Sequence, residues 1–443
     1  KAEKRKILKN ILLISFAFLL NFTAFQGLSR LQSSLHKVDG MGVINSAVLY
    51  AFLMLSCMFV PKLLTTRIGF KWTIPLSFSG YILWMAANGY AHWYTMVPAS
   101  IIVGICAAPL WTAQCSYFTK MGGRYAELNQ EDEQAVITRF FGYFFMFFQM
   151  SSIVGSIISS TILKPEEIDD TIEEPIPDPD EIAARCGAND CPWHNHTDNP
   201  NLREPSDETV WTMVGIYIAG ACIAVLMVCI FVDRVPKYMR EDSPATLKDV
   251  GELASATFKH LRHNNQLLLI PITMYSGFEQ AFYNAEWTNS FITCSVGIWN
   301  VGLITLPFGI VNAFVSFTSG YLVKYIGRLP MFALGVLVDA GIQVALLIYA
   351  PNGTQEIPLY VLSGLWGLTD GIWQTQLNAL YGSIFATESE AAFSNYRMWE
   401  SLGFIIAFAY SNFICTQVKI IVLLVMLLLG NALYLVVEIK NRK

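Results

Sequence analysis

Apolar residues in this chain gather into long runs separated by short polar bursts. Twelve such runs stand at 8–33, 42–63, 73–93, 95–119, 138–163, 210–232, 267–293, 299–323, 330–350, 358–385, 392–415 and 418–439. Many exceed the roughly 18 apolar residues that mark a spanning helix. Helices are the only open-chain way to satisfy backbone polar groups in lipid. One long polar segment interrupts the pattern in the middle of the chain. In it Arg234, Lys237, Arg240, Lys248, Lys259 and Arg262 sit among Asp233, Glu241, Asp242, Asp249 and Glu252. The pattern predicts an all-α polytopic membrane protein with twelve transmembrane helices. They form a six-helix half over 1–232, a linker over 233–266 and a second six-helix half over 267–443.

Composition agrees. The chain has 443 residues, 54% of them hydrophobic and 14% charged, against about 25% charged in a soluble domain. Lys and Arg set the orientation. With the N-terminus inside, 23 of the 29 basic residues fall on the inner side. The outer side keeps only Arg30, Lys37, Lys164, Arg185, Arg203 and Lys419. Both termini and the linker are therefore expected in the cytosol. The basic start, KAEKRK, leads into a run too long for a signal peptide and without a small-residue cleavage site, so it reads as the first spanning helix.

The net charge of −5 comes from one predicted outer loop, 165–209, which carries 14 Asp and Glu against two Arg. Its Pro175, Pro177 and Pro179 favour an extended start. The loop reads as a solvated cap, or as an anionic docking surface for a partner. Asn195 and Asn352 head glycosylation acceptors on the predicted outer side, while Asn21 heads one buried in the first run. Cys186 and Cys191 share the outer loop, where a disulfide between them can persist; two free thiols are the other reading. His194 and His196 lack a ligand spacing, so no metal site is expected. Nor does the sequence carry a nucleic-acid footprint, a phosphate loop, a nucleophile elbow or a cofactor motif, and no enzyme activity is expected.

The halves echo one another. Arg67-Ile68-Gly69-Phe70-Lys71 follows the second run, and Tyr325-Ile326-Gly327-Arg328 follows the eighth, 258 residues later, extended backward by Gly320-Tyr321-Leu322. Both resemble the inner-loop motif G-x-L-a-D-R-x-G-R-K of the major facilitator superfamily. That resemblance implies two pseudo-symmetric halves around a central site. The acidic position of the motif is Thr66 in one half and Lys324 in the other. In transporters that acid helps latch the inner gate, so its loss puts an ordinary alternating-access cycle in doubt. Arg139 and Arg397 repeat at the same offset, Trp111 to Gln114 answers Trp373 to Gln376, and Phe25-Gln26 answers Phe278-Glu279.

Charged groups in the runs cost roughly 2.5–3.5 kcal/mol each at the bilayer centre on the lowest scale, so they should face the interior. Glu279 and Glu286, seven apart, should share nearly one face of helix 7. Asp339, Asp370 and Glu400 are the other intramembrane acids. The implied fold lines its cavity with helices 1, 4, 7 and 10. Gln26, Arg30, Trp111, Gln114, Glu279, Tyr283, Glu286, Asp370, Trp373 and Gln376 would then converge there. They read as a polar solute or cation site, or as an interhelical network such as an Arg30–Glu286 pair. Arg397 and Glu400, i and i+3, read as a local salt bridge or as a coupling element at the inner end of helix 11.

Several longer blocks carry a further resemblance. These are Leu31 to Leu35, Ala108 to Cys115, Cys186 to Cys191, Gly364 to Gly367, Ala379 to Gly382 and Ala391 to Arg397. Together they resemble the unc-ninety-three family over nearly the whole chain, nearer its invertebrate and A-type members than its B-type. The resemblance implies a major-facilitator fold used through protein–protein contacts in the membrane. A nematode member regulates a two-pore-domain potassium channel in muscle with a single-span partner; the B-type escorts innate immune receptors to endosomes. The implied activity is non-enzymatic regulation of a potassium channel at the plasma membrane, the implied partners a channel subunit and a single-span accessory protein within the lipid. Solute or cation transport by the helix 7 acids, and trafficking of receptors, are the alternatives; any small-molecule ligand is unknown.

Overall fold

The computed structural model describes residues 2–36, 38–131, 133–164, 178–193, 199–202, 205–235, 246–385 and 389–441. Asn195, the His194/His196 pair and much of the acidic loop and linker lie outside them. The described residues are helical almost throughout. In chain order the helices are α1 (Ala2–Leu35), α2 (Met41–Ile68), α3 (Phe70–Gly89), α4 (Trp93–Asn129), α5 (Glu133–Leu163), α6 (Pro179–Arg185), α7 (Asp207–Phe231), α8 (Leu247–His260) and α9 (Asn264–Phe282). A π-helical stretch, Tyr283–Thr293, continues α9 into the short α10 (Cys294–Val296). Then follow α11 (Val301–Ile326), α12 (Arg328–Ile348), α13 (Ile357–Ile384), α14 (Ser389–Tyr410) and α15 (Thr416–Asn441).

Eight of the described helical segments are long and apolar enough to cross a membrane. They lie in α1, α2, α4, α5, α7, α11, α12 and α15. The remaining long helices are α3, α9, α13 and α14; the last three hold the buried acids Glu279, Asp370 and Glu400.

The chain forms two compact units. The first comprises 1–26, 48–152 and 214–259. Its core is aromatic: Phe18, Phe22, Trp111, Phe144 and Phe148 pack edge-on and stacked with centroids 5.0–6.0 Å apart. Lys6 and Lys9 of α1 clamp Asp233, just past α7, at 3.3 and 3.1 Å. Partial burial pushes the Asp233 carboxyl up, but hydrogen bonds from Lys9, Lys6 and Asn10 outweigh it and hold the group below its ordinary value.

The second unit comprises 27–47, 153–213 and 260–443. At its centre α9 packs on α14 and α15, and α13 packs on α11 and α12. Small residues permit the close crossings. A Cβ on Gly277 would lie 2.1 Å from the Glu400 carbonyl oxygen, and one on Gly403 would lie 2.2 Å from the Met274 carbonyl oxygen. The two helices therefore touch backbone to backbone from both sides. Gly367 does the same for α13 against Phe308 of α11.

Both copies of the repeated inner-loop motif turn on a glycine. Gly69, between α2 and α3, has φ +80°, and Gly327, between α11 and α12, has φ +84°. With ψ of 160° and 171° these conformations are almost closed to other residues. The 258-residue offset seen in the sequence is thus an offset between two like turns.

Within the second unit the segment 178–193 is held by two disulfides, Cys186–Cys294 and Cys191–Cys415. This corrects the expected Cys186–Cys191 bridge. Between the two cysteines, Gly187–Asn189 form a tight 3-10 turn. A Cβ on Gly187 would meet Pro351 at 2.7 Å and Phe291 at 3.2 Å, so the turn is wedged into the unit. The wedge presents Cys186 to α10 and Cys191 to the start of α15 instead of to each other. Asp190 adds a backbone bond, its carbonyl accepting from the Thr416 amide at 2.9 Å.

Candidate functional site

Three acids lie buried between α9, α12 and α13. Asp339 is the best satisfied. Its Oδ2 accepts from the Tyr275 hydroxyl and, at 2.9 Å, from Trp373 Nε1; its Oδ1 accepts from Gln343 at 3.5 Å. Glu279 accepts from Trp366 Nε1 through Oε1, and Asp370 accepts from Asn312 through Oδ2. Glu279 Oε2 and Asp370 Oδ1 are buried without a hydrogen-bond partner. Among the described residues no Lys or Arg is ion-paired with any of the three. Aromatic rings wall the cluster: Tyr283, Trp287 and Trp366 pack with centroids 5.3–6.5 Å apart, and Tyr275 meets Trp373 at 5.9 Å. Tyr283 donates to or accepts from Ser363 at 2.8 Å. A buried oxygen left unpaired in such a setting is expensive.

Local sequence explains the cluster. Trp366, Asp370 and Trp373 fall at i, i+4 and i+7 on α13, and Asp339 and Gln343 at i, i+4 on α12, so each set shares one face. Asp339, Gln343, Tyr275 and Trp366 were missing from the expected cavity set, although that spacing was available as a signal.

Glu286 behaves differently from Glu279. It lies in the π-helical stretch, whose wider turn rotates it away from the face that α-helical spacing predicts. Its Oε1 accepts from Ser411 and its Oε2 pairs with Lys419 at 2.7 Å. Lys419 also donates to the Ser411 carbonyl at 2.6 Å, and both charged side chains are at least 94% buried. The expected Arg30–Glu286 pair is therefore replaced by Lys419–Glu286. Arg30 instead donates to Ser156 at 2.8 Å and Thr305 at 3.3 Å and lies over the Phe308 and Tyr283 rings. It thereby ties α1 to α5 and α11.

The other expected cavity residues divide between the units. Gln26, Trp111 and Gln114 belong to the first unit, Trp111 in the aromatic core and Gln114 buried and accepting from Cys115 at 3.3 Å. Gln376 belongs to the second and donates to Thr375 at 3.4 Å.

The motif residues make ordinary structural contacts. Arg67 is exposed, and Lys71 donates to the Cys229 carbonyl at 2.9 Å. Thr66, at the position of the acidic latch, bonds back to the Lys62 carbonyl at 2.7 Å. Gly320 is helical, and the Lys324 side chain lies outside the described residues. Arg328 donates to Ser383 at 3.0 Å and stands 3.9 Å from Glu438. Arg139 pairs with Glu131 at 2.7 Å. Arg397 pairs with Glu400 at 2.7 Å, the local bridge expected from the spacing; Glu400 also accepts from Tyr396 at 3.2 Å and Ser276 at 3.3 Å. Asn352 is half-buried in a turn and accepts from the Thr354 amide and hydroxyl at 3.1 and 2.9 Å.

Comparison with known proteins places this arrangement. The family model described as "Ion channel regulatory protein UNC-93" matches residues 36–435. Protein unc-93 homolog A of Xenopus laevis is 42% identical over 98% of this chain and 93% of its own length. The human homolog A is 41% identical over 98% of this chain and 94% of its own. A candidate potassium channel regulatory protein of Caenorhabditis elegans, unc-93, is 34% identical over 98% of this chain and 61% of its own length. Among solved structures, the nucleoside transporter NupG superposes with a TM-score of 0.64 over 96% of this chain and 98% of its own, at 12% identity. That likeness gives a transporter-type fold and no activity. On the extent and level of these matches, the chain belongs to the UNC-93 family.

Proposed function

We propose that this chain is a non-enzymatic regulatory subunit of a two-pore-domain potassium channel complex in the plasma membrane. The observation that carries the proposal is its similarity, over nearly its whole length, to a relative named for potassium channel regulation. In this reading the long helices make twelve passes in two six-helix halves, 1–232 and 267–443. Both termini and the linker 233–266 are cytosolic. The loop 165–209 is external, with glycans on Asn195 and Asn352. The channel subunit and a single-span accessory protein contact lipid-facing helices, which expose large apolar groups such as Phe314, Phe317 and Leu337. Two features favour regulation over transport. Thr66 stands where a latch acid would be, and its hydroxyl carries no charge and bonds back to the Lys62 carbonyl. The disulfides also fix 178–193 to α10 and α15, which resists opening of that end.

A second reading, transport of a cation or solute, is favoured by the unsatisfied oxygens of Glu279 and Asp370. Glu279→Gln separates the two. It keeps the bond to Trp366 possible and removes the titratable acid. Regulation predicts that the variant still co-purifies with the channel and still changes its current. Transport predicts a substrate-dependent uptake that the variant abolishes.

A further inference from the structure

At one end of the second unit the start of α9, the end of α13 and the end of α15 enclose a cavity of about 400 Å³. Among the described residues Arg262, His263, Asn264, Asn265, Phe385 and Lys440 line it, and no carboxylate does. Lys440 Nζ stands 3.5 Å from Asn265 Oδ1. Phe385 forms a fixed floor, its ring held edge-on by His260 at 4.6 Å and tilted against Tyr381 at 5.8 Å. Two full cations and two side-chain amides thus converge on one concave space that nothing above uses. The positive end of the α9 dipole points the same way.

The surroundings select among anions. Leu267 lies three residues into α9 from Asn264 and is 49% exposed; Val436 lies four residues before Lys440 on α15 and is 50% exposed. Helical spacing puts each on the same face as its polar neighbour, one turn deeper. Ile439 beside them is 52% exposed. A basic pocket with exposed apolar groups one turn below it has the layout of a headgroup and its acyl chains. We propose that this cavity binds the phosphate-bearing headgroup of an anionic phospholipid, with the acyl chains running along α9 and α15. Arg262 and Lys440 supply the charge, and Asn264 and Asn265 supply amide donors for the phosphate oxygens. The sequence orientation puts this end at the cytosolic leaflet, where anionic lipids are concentrated. The placement in the cell rests on that orientation; the binding does not.

The test uses the full chain in phosphatidylcholine nanodiscs with and without a phosphatidylinositol phosphate, which offers the lipid from both leaflets. Retained lipid is counted by native mass spectrometry and affinity measured by titration. Each basic residue at an anionic surface contributes about fivefold, so Arg262→Gln with Lys440→Gln should weaken binding about 25-fold. Arg262→Lys with Lys440→Arg should preserve it and serves as the control for folding. Unchanged binding in the neutral double variant would overturn the proposal. So would equal binding of inorganic phosphate, which would make the apolar face irrelevant.

Discussion

Lys419→Met is expected to destabilise the protein by about 3–5 kcal/mol, the cost of leaving a buried charge without its partner. Glu286 is 5% exposed and its one ionic partner among the described residues is Lys419, at 2.7 Å. Ser411 supplies a hydrogen bond but no charge. Glu286→Gln alone strands Lys419 in the same way. The double variant, with both charges gone, should recover most of the loss, because neutral groups of similar size do not carry the desolvation penalty. Thermal unfolding of the purified protein in detergent reads the three variants directly. Additive losses in the double variant would mean that the pair is not coupled.

The second large effect concerns the disulfides. They join residues 108 and 224 positions apart. Removal of a native disulfide typically costs about 2–4 kcal/mol, and Cys294→Ser and Cys415→Ser should each fall in that range. Reductant should lower the wild-type unfolding temperature and leave the double variant unaffected. Peptide mapping without reduction should recover Cys186 linked to Cys294 and Cys191 linked to Cys415. A peptide linking Cys186 to Cys191 would contradict the structure and restore the simpler expectation.

The difference between what could and could not be read in the sequence is physical. Apolar run length is a local property, and the helices follow it closely: 42–63 became Met41–Ile68, 210–232 became Asp207–Phe231, and 330–350 became Arg328–Ile348. The repeat was legible because Gly69 and Gly327 each sit where only glycine fits the turn. Partners across the sequence were less legible. Cys186 and Cys191 are near in sequence, but the wedged turn of Gly187 sends them to different helices. Glu286 and Arg30 had compatible charge and depth, yet Lys419 is nearer once the backbone leaves α-helical spacing. Asp339 was visible as an intramembrane acid, but its bonds to Tyr275 and Trp373 depend on how α12 packs, which no local pattern encodes.

Regulation through a membrane partner should be visible in whole-cell potassium current. A muscle two-pore-domain channel would be expressed with and without this chain, and the channel purified from the same cells. A changed current together with co-purification of the chain is the predicted result. An unchanged current with no complex would contradict the claim for that channel, and uptake assays on Glu279→Gln would then decide whether the buried acids serve transport.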